Sequence, residues 1–282
     1  MNNGLLVVNK PKGITSRDVV NKVCRKFNTK SVGHIGTLDP LAEGVLVCLI
    51  GKYTKLASVL VEHDKEYIAS FKLGIETDTL DITGKVLREE NYLLNKDKII
   101  DVINYFNGLK YMQEVPIYSA VKVNGKKLYE YARNNIMVEL PKKEVNIYSL
   151  ELVDIEDEVV TIKCKVSKGT YIRSLIRDIG RYLNTYGTMT KLIRTKLGDF
   201  NIDNSYSLSD IDIDNDNYKL LKLEDFLDID IRYIDNEIDY KHIRNGNVVT
   251  INSDKYVLFK YNSEDVALYE PFNNKIKPLI MF

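Results

Sequence analysis

The chain is poor in the residues that build metal centres. Its 282 residues include three cysteines and three histidines. Cys24, Cys48 and Cys164 lie far apart with no C-x-x-C pair, and the histidines are scattered, so no zinc site is readable. Cys48 falls inside an apolar run and reads as a core residue. No apolar run approaches the roughly 20 residues that cross a bilayer. Leu5–Val8 is too short for the apolar region of a signal peptide. A soluble, cytoplasmic protein without metal or membrane contact is expected. Net charge is missing too, with 40 Lys+Arg against 40 Asp+Glu.

That balance hides an asymmetry. Residues 1–200 carry 31 Lys+Arg against 24 Asp+Glu, and residues 201–282 carry 9 against 16. A basic body with an acidic tail suits a polyanion bound to the body, although unevenly charged solvated faces give the same count. Apolar residues make up 44% of the chain, ample for a core, and the length fits one large domain plus a small one. The 19 tyrosines accompany plentiful Lys, Asn and Ile, so no single ring counts without support from its surroundings.

The most informative stretch is Ser31–Leu46, SVGHIGTLDPLAEGVL. Its glycines permit tight turns and close backbone approach. Pro40 pushes Asp39 toward extended backbone. The apolar run Val45–Ile50 reads as a buried strand. One carboxylate therefore sits on a stiff loop at the mouth of a core strand. An Asp-Pro step alone would read as a turn.

The pattern G-H-x-G-T-L-D-P-x-A-x-G-x-L resembles the signature loop of the bacterial tRNA pseudouridine-55 synthases, the TruB type. The resemblance implies that Asp39 is the catalytic carboxylate. It implies an α+β pseudouridine-synthase fold, with a mixed, largely antiparallel central sheet flanked by helices and a small C-terminal β-barrel-like domain of the PUA type. It also implies a monomer that acts on the T-arm stem-loop of tRNA and converts uridine-55 without a cofactor.

Other segments carry the same resemblance. Gly4–Asn9 reads as a strand, followed by the basic turn Lys10-Pro11-Lys12-Gly13. Thr15 or Ser16 caps a helix with Val19, Val20, Val23, Cys24 and Phe27 on one face. Thr54 reads as the cap of a second helix, with Leu56, Ala57, Leu60 and Val61 inward and Lys55 in its first turn. There a cation opposes the helix dipole, which suits either a phosphate partner or plain solvation. Asp64-Lys65-Glu66-Tyr67 opens a strand to Leu73. Asp64 to Tyr67 matches the family's D-K-x-Y, and the stretch from Gly74 to Gly84 matches its G-x-x-T-D-T-x-D-x-x-G. Tyr67 takes the place of the ring that stacks on uracil; without the resemblance it reads as core. Asn95–Asn107 reads as a helix with Ile99, Ile100, Ile103 and Phe106 inward and Gly108 as its stop.

Residues 110–143 resemble the family's RNA-covering insertion and interleave lysine with tyrosine, which suits phosphate neutralisation and base stacking. A surface helical hairpin has the same composition. Residues 144–154 and 158–167 alternate as paired strands. Ser167-Lys168-Gly169-Thr170-Tyr171-Ile172-Arg173 matches the family's S-K-G-T-Y-I-R, which gives Arg173 the role of pairing with Asp39; a planar guanidinium can make that a two-point grip. Tyr171 becomes an aromatic at the uridine pocket. In the closing L-x-R-T-x-x-G-x-F, Leu192 becomes the apolar wall. His34 takes the place of the histidine that fills or props the space left by the flipped base. The basic residues expected at RNA phosphates are Lys10, Lys55, Lys122, Lys126, Lys127 and Arg133. Some members carry His near Thr188 and Arg at Ile193, where this chain departs.

A catalytic domain is expected over residues 1–230, including an acidic linker at about 201–230 with Asp210, Asp212, Asp214, Asp216 and one helix, Leu220–Leu227. A PUA-like β domain is expected over 231–282, with strands near Asn247–Ile251, Lys255–Tyr261, Val266–Tyr269 and Leu279–Phe282. All the motifs precede residue 200, so a fragment ending near 230 is expected to fold alone. Two other functions fit parts of the pattern. One is a glycoside hydrolase pairing Asp39 with Glu43. The other is an RNA-folding protein that only binds.

Overall fold

Apolar runs in the sequence become the inner strands of one sheet. A computed structural model describes residues 3–60, 63–211 and 217–282; Val61 and the linker's Asp212, Asp214 and Asp216 lie outside them. The main strands are β1 (Gly4–Lys10), β2 (Val32–Ile35), β3 (Glu43–Ile50), β4 (Lys65–Leu73), β5 (Lys110–Glu114), β6 (Lys142–Glu156), β7 (Val159–Val166) and β8 (Gly187–Leu197). Across the sheet the order is Tyr206–Ser207, β1, β3, β8, β4, β7, β6, β5, with β2 beside β3. Neighbours run antiparallel except Tyr206–Ser207 with β1, and the short contact of β3 with β8. The sheet is mixed and largely antiparallel.

β3 reads as an unbroken apolar run because both of its faces are buried. Leu46, Cys48 and Ile50 meet Val19, Val20 and Val23 of helix α1 (Ser16–Lys26). Val45, Val47 and Leu49 face a second cluster on the other side. Thr15 caps α1, in a reciprocal pairing with Asp18. β4 alternates instead: Tyr67, Ala69, Phe71 and Leu73 pack against helices α2 (Lys96–Phe106) and α4 (Ile172–Tyr182), and the residues between them face outward. In α2 the inward set is Ile99, Val102, Ile103 and Phe106. Ile100 is 37% exposed, because positions three, four and seven after Ile99 share its face and position one does not.

Two local expectations change, and one alternative drops out. Gly51–Leu56 is a 3₁₀ turn leading into a short α-helix, Ala57–Leu60, and Thr54 Oγ1 donates back to the Gly51 carbonyl rather than capping. The insertion is a two-stranded hairpin, Lys122–Val123 with Lys126–Lys127, followed by the short helix α3 (Leu128–Arg133), not a helical hairpin. Leu220–Leu227 contracts to one 3₁₀ turn at Leu223–Asp225, because Leu221 bridges to Leu5 instead.

The C-terminal PUA-like part is a four-stranded sheet of β9 (Ile229–Tyr233), β10 (Tyr256–Tyr261), β11 (Glu264–Phe272) and β12 (Lys275–Met281). It includes helix α5 (Glu237–Arg244), which an all-β reading overlooked although Asn236 is a good cap. Residues 247–251 form only the bridge Val249–Ile276. β9 begins at Ile229 and pairs with β10, so a division after residue 230 cuts through a strand.

Packing opposes an independent body as well. Leu258, Leu268 and Ile280 share one cluster with Leu5, Val47 and Leu49. Tyr53 donates to Asp265 at 3.1 Å and accepts from the Leu223 amide at 3.3 Å. Each buried aliphatic side chain contributes about 1.5–3 kcal/mol, so cutting after residue 230 removes several such contributions and uncovers β1 and β3.

Candidate active site

The loop between β2 and β3 carries Asp39, and it is fixed from several sides. Ser16, 2% exposed, donates to the Leu38 carbonyl at 3.0 Å and accepts from the Leu38 amide at 2.9 Å. The Gly13 amide donates to the Pro40 carbonyl at 2.8 Å, and Lys10 Nζ reaches the same oxygen at 3.4 Å. Lys10 also donates to the carbonyls of Ile14 and Pro11, at 2.7 and 2.9 Å. It is fully buried, and burial pushes its ammonium down to about 8, against the raising effect of Glu43 and Asp39. Lys10 is therefore an internal strut. Its expected place at RNA phosphate is ruled out by burial.

Arg194 holds the same loop from below. It has no exposed surface; Nε donates to the Val45 carbonyl at 2.8 Å and Nη2 to the Gly36 carbonyl. Two glycines make this approach possible. A Cβ on Gly44, at φ +99, would stand 2.2 Å from the Arg194 carbonyl; one on Gly36, at φ +68, would stand 3.1 Å from Arg194 Nη1. Arg194 belongs to the closing motif, yet reading the sequence gave it no role. Its period-two spacing from Leu192 was the signal that it points inward.

Arg173, in the first turn of α4, lies with Nη2 2.9 Å from Asp39 Oδ2. Its side chain is 6% exposed and that of Asp39 39%. The same Nη2 donates to the Tyr118 carbonyl at 3.1 Å, and Nη1 to the Thr79 carbonyl at 2.9 Å. The expected two-point grip is thus a one-point contact, since the other donor belongs to the backbone. Tyr118 is held in turn by its hydroxyl on Asp78, at 3.2 Å.

These groups face a cavity of about 740 Å³ lined by Asp39, Tyr67, Tyr171, Arg173 and Leu192, among others. Tyr67 is 6% exposed, both a core residue and a wall of the cavity. Burial raises the pKa of its hydroxyl, with the neighbouring Arg194 opposing. Burial likewise raises that of Tyr171. Among the described residues lining the cavity, Asp39 is the sole carboxylate, beside Lys65, Lys143, Lys168, Arg173 and Arg194. Glu43 stands at the start of β3 and outside this lining, so no carboxylate pair for hydrolysis is present there. A second cavity of about 750 Å³ is lined by Asp199, Asp203, Glu224, Asp225 and Asp228, the wrong sign for a polyanion.

The remaining predicted residues scatter. His34 lies on β2, paired across to Cys48 and outside the cavity lining. Its Nδ1 is buried without a partner, and burial, then Arg194 and Arg17, lower its pKa. Lys55 is exposed and donates to the Met281 carbonyl of the C-terminal strand. Lys122, Lys126 and Arg133 are exposed on the insertion, and Lys127 is half-buried. At the departures, Thr188 is buried and donates to the Ile75 carbonyl, and Ile193 pairs with Ile68 and Glu43.

The family model described as TruB family pseudouridylate synthase (N terminal domain) matches residues 24–172. The one described as tRNA pseudouridylate synthase B C-terminal domain matches residues 173–237. The chain is 40% identical to tRNA pseudouridine synthase B of Mesoplasma florum, over 97% of this chain and 95% of the relative. It is 46% identical to the protein of that name from Caldicellulosiruptor saccharolyticus, over 88% and 84%. Among solved structures it resembles a Cbf5-Nop10-Gar1 complex, with a TM-score of 0.70 and 25% identity, over 99% of this chain and 84% of that one.

Proposed function

The chain belongs to the TruB family of pseudouridylate synthases, and from that membership we propose how its cavity works. It is a tRNA pseudouridine synthase, an isomerase that converts uridine-55 of tRNA to pseudouridine. The reaction breaks the C1′–N1 bond, turns the uracil, and joins C1′ to C5. C5 loses a proton and N1 gains one, so no atoms enter or leave overall. Such a rearrangement calls for one carboxylate close to the glycosidic bond, either as nucleophile at C1′ or C6 or as a base at the sugar.

Asp39 is that carboxylate in our reading. The observation that carries it is the contact of the cavity's sole described carboxylate with a buried arginine, at 2.9 Å. The target base leaves its stack at a cost of a few kcal/mol. Stacking on Tyr67 offsets much of this, since aromatic stacking is worth about 1–3 kcal/mol per base. Leu192 and Tyr171 close the apolar walls. The substrate is the T-arm stem-loop, met by a monomer in the cytoplasm. The insertion covers that loop, and the sheet from Ile229 onward braces the body.

Asp39→Asn tests this reading. It should bind tRNA with near-normal affinity and make no pseudouridine, scored by mass shift after cyanoethylation. Product from a clean preparation of that variant would end the assignment.

A further inference from the structure

Two lysines at the mouth of the Asp39 cavity have no part in the chemistry above. Lys65 begins β4 and Lys143 lies near the start of β6; both line the cavity. Lys143 makes no ion pair among the described residues. Its side chain lies over Gly169, where a Cβ would come within 2.0 Å of Nζ. Lys65 donates to the His63 carbonyl at 2.6 Å. Burial first, then the charges of Arg194 and Lys143, push its ammonium down to about 8, with Asp64 opposing. Lys65, Lys143 and Arg194 thus line one cavity, and the charges of the other two disfavour the charged form of Lys65. The one carboxylate in the described lining is already held by Arg173.

Like charges gathered at a partly desolvated mouth raise the energy of the free protein, and an anion placed between them removes that cost. A nucleotide turned into this cavity brings the phosphates on either side of it to the mouth. Lysine binds phosphate as a point charge, without the planar geometry an arginine imposes.

We propose that Lys65 and Lys143 form a seat for one phosphate flanking the target uridine. The inference rests on reading this cavity as the uridine site. It joins Lys143, the last residue of the basic 110–143 segment, to Lys65, for which no RNA contact was expected.

The test uses full-length protein and T-arm stem-loop RNA in filter binding across a salt series. Lys65→Met/Lys143→Met should flatten the log–log salt slope by about 0.7–0.9, the value of one phosphate contact. Lys143→Met alone, on an exposed strand, should give part of that change and needs no alteration of the core. A methylphosphonate on one side of the target uridine should weaken wild type by at least about threefold and leave the double variant unmoved. An unchanged slope in Lys143→Met and in the double variant overturns the seat. Equal losses from the methylphosphonate in wild type and double variant overturn it as well. Asp39→Asn in the same series separates the two readings. If it makes pseudouridine, the uridine site itself is misassigned; if it is inert while the slopes stay unchanged, only the seat fails.

Discussion

The Asp39 loop and the insertion both carry basic residues, and they use them in opposite ways. Around the loop, Lys10, Arg173 and Arg194 are buried, and apart from the contact of Arg173 with Asp39 their bonded donors go to backbone carbonyls, among them those of Ile14, Pro40, Val45, Gly36, Thr79 and Tyr118. On the insertion, Lys122, Lys126 and Arg133 are exposed. Lys127 and Arg133 lie over the Tyr129 ring at 5.5 and 5.2 Å. A buried cation satisfied by fixed carbonyls is a structural part, because moving it leaves a charge and several acceptors unpaired. An exposed cation on a short hairpin gives up little to meet an RNA phosphate. The loop should therefore govern stability and turnover, and the insertion affinity and its salt dependence.

The sharpest test on the loop side is Ser16→Ala. It strips the Leu38 amide and carbonyl of a buried partner. Denaturation should show a loss of about 1–3 kcal/mol, with the salt slope of tRNA binding unchanged. A flattened slope would mean that the loop itself meets RNA.

Lys10 gives a test with a sign. Its folded-state value, about 8, lies below the ordinary lysine value of 10.5. Between those values the unfolded chain holds the extra proton, so wild type should gain stability as pH rises. Below pH 8 the cost is fully present. Relative to Lys10→Met, wild type should therefore gain about 2 kcal/mol between pH 7 and pH 10. A flat difference across that range would place Lys10 in water, against the structure.

Arg173→Lys comes next. A lysine can reach Asp39 but cannot also serve the Thr79 and Tyr118 carbonyls from fixed positions. Single-turnover rates should fall at least tenfold, about 1.4 kcal/mol of barrier, with tRNA affinity little changed. Near-wild-type turnover would show that the carbonyl cage does not orient Asp39.

On the insertion side the effect is smaller. Lys126→Gln with Lys127→Gln should flatten the salt slope by about one to two contacts, each about 0.7–0.9, and leave the turnover of bound substrate near normal. If turnover falls while the slope holds, the comparison between the two regions is wrong.

Much of this was legible in sequence because it depends on local pattern. The apolar run in β3 and the alternation in β4 announced one strand buried on both faces and one with a single inner face. Thr15 and Asp18 announced the start of α1. The glycines at 36 and 44 marked close approach, without saying that Arg194 was what approached. The helix α5 was missed because short β-like runs dominated the tail, although Asn236 offered a cap.

By itself the sequence determined the buried and alternating strands, the capped start of α1 and one carboxylate on a stiff loop, since side-chain periodicity and backbone limits act within a few residues; the mixed sheet and the role of Asp39 followed from the family resemblance. Tertiary structure alone decided which cations are free. Lys10, Lys55 and Lys126 look alike along the chain. One is buried on carbonyls around its own loop, one is exposed with a donor on the Met281 carbonyl, and one is exposed on the hairpin. The same distinction brought Lys65 and Lys143 to the cavity mouth and joined the C-terminal sheet to the core of the body. A charge's destination is set by burial and by acceptors far away in the chain, and no local pattern records either.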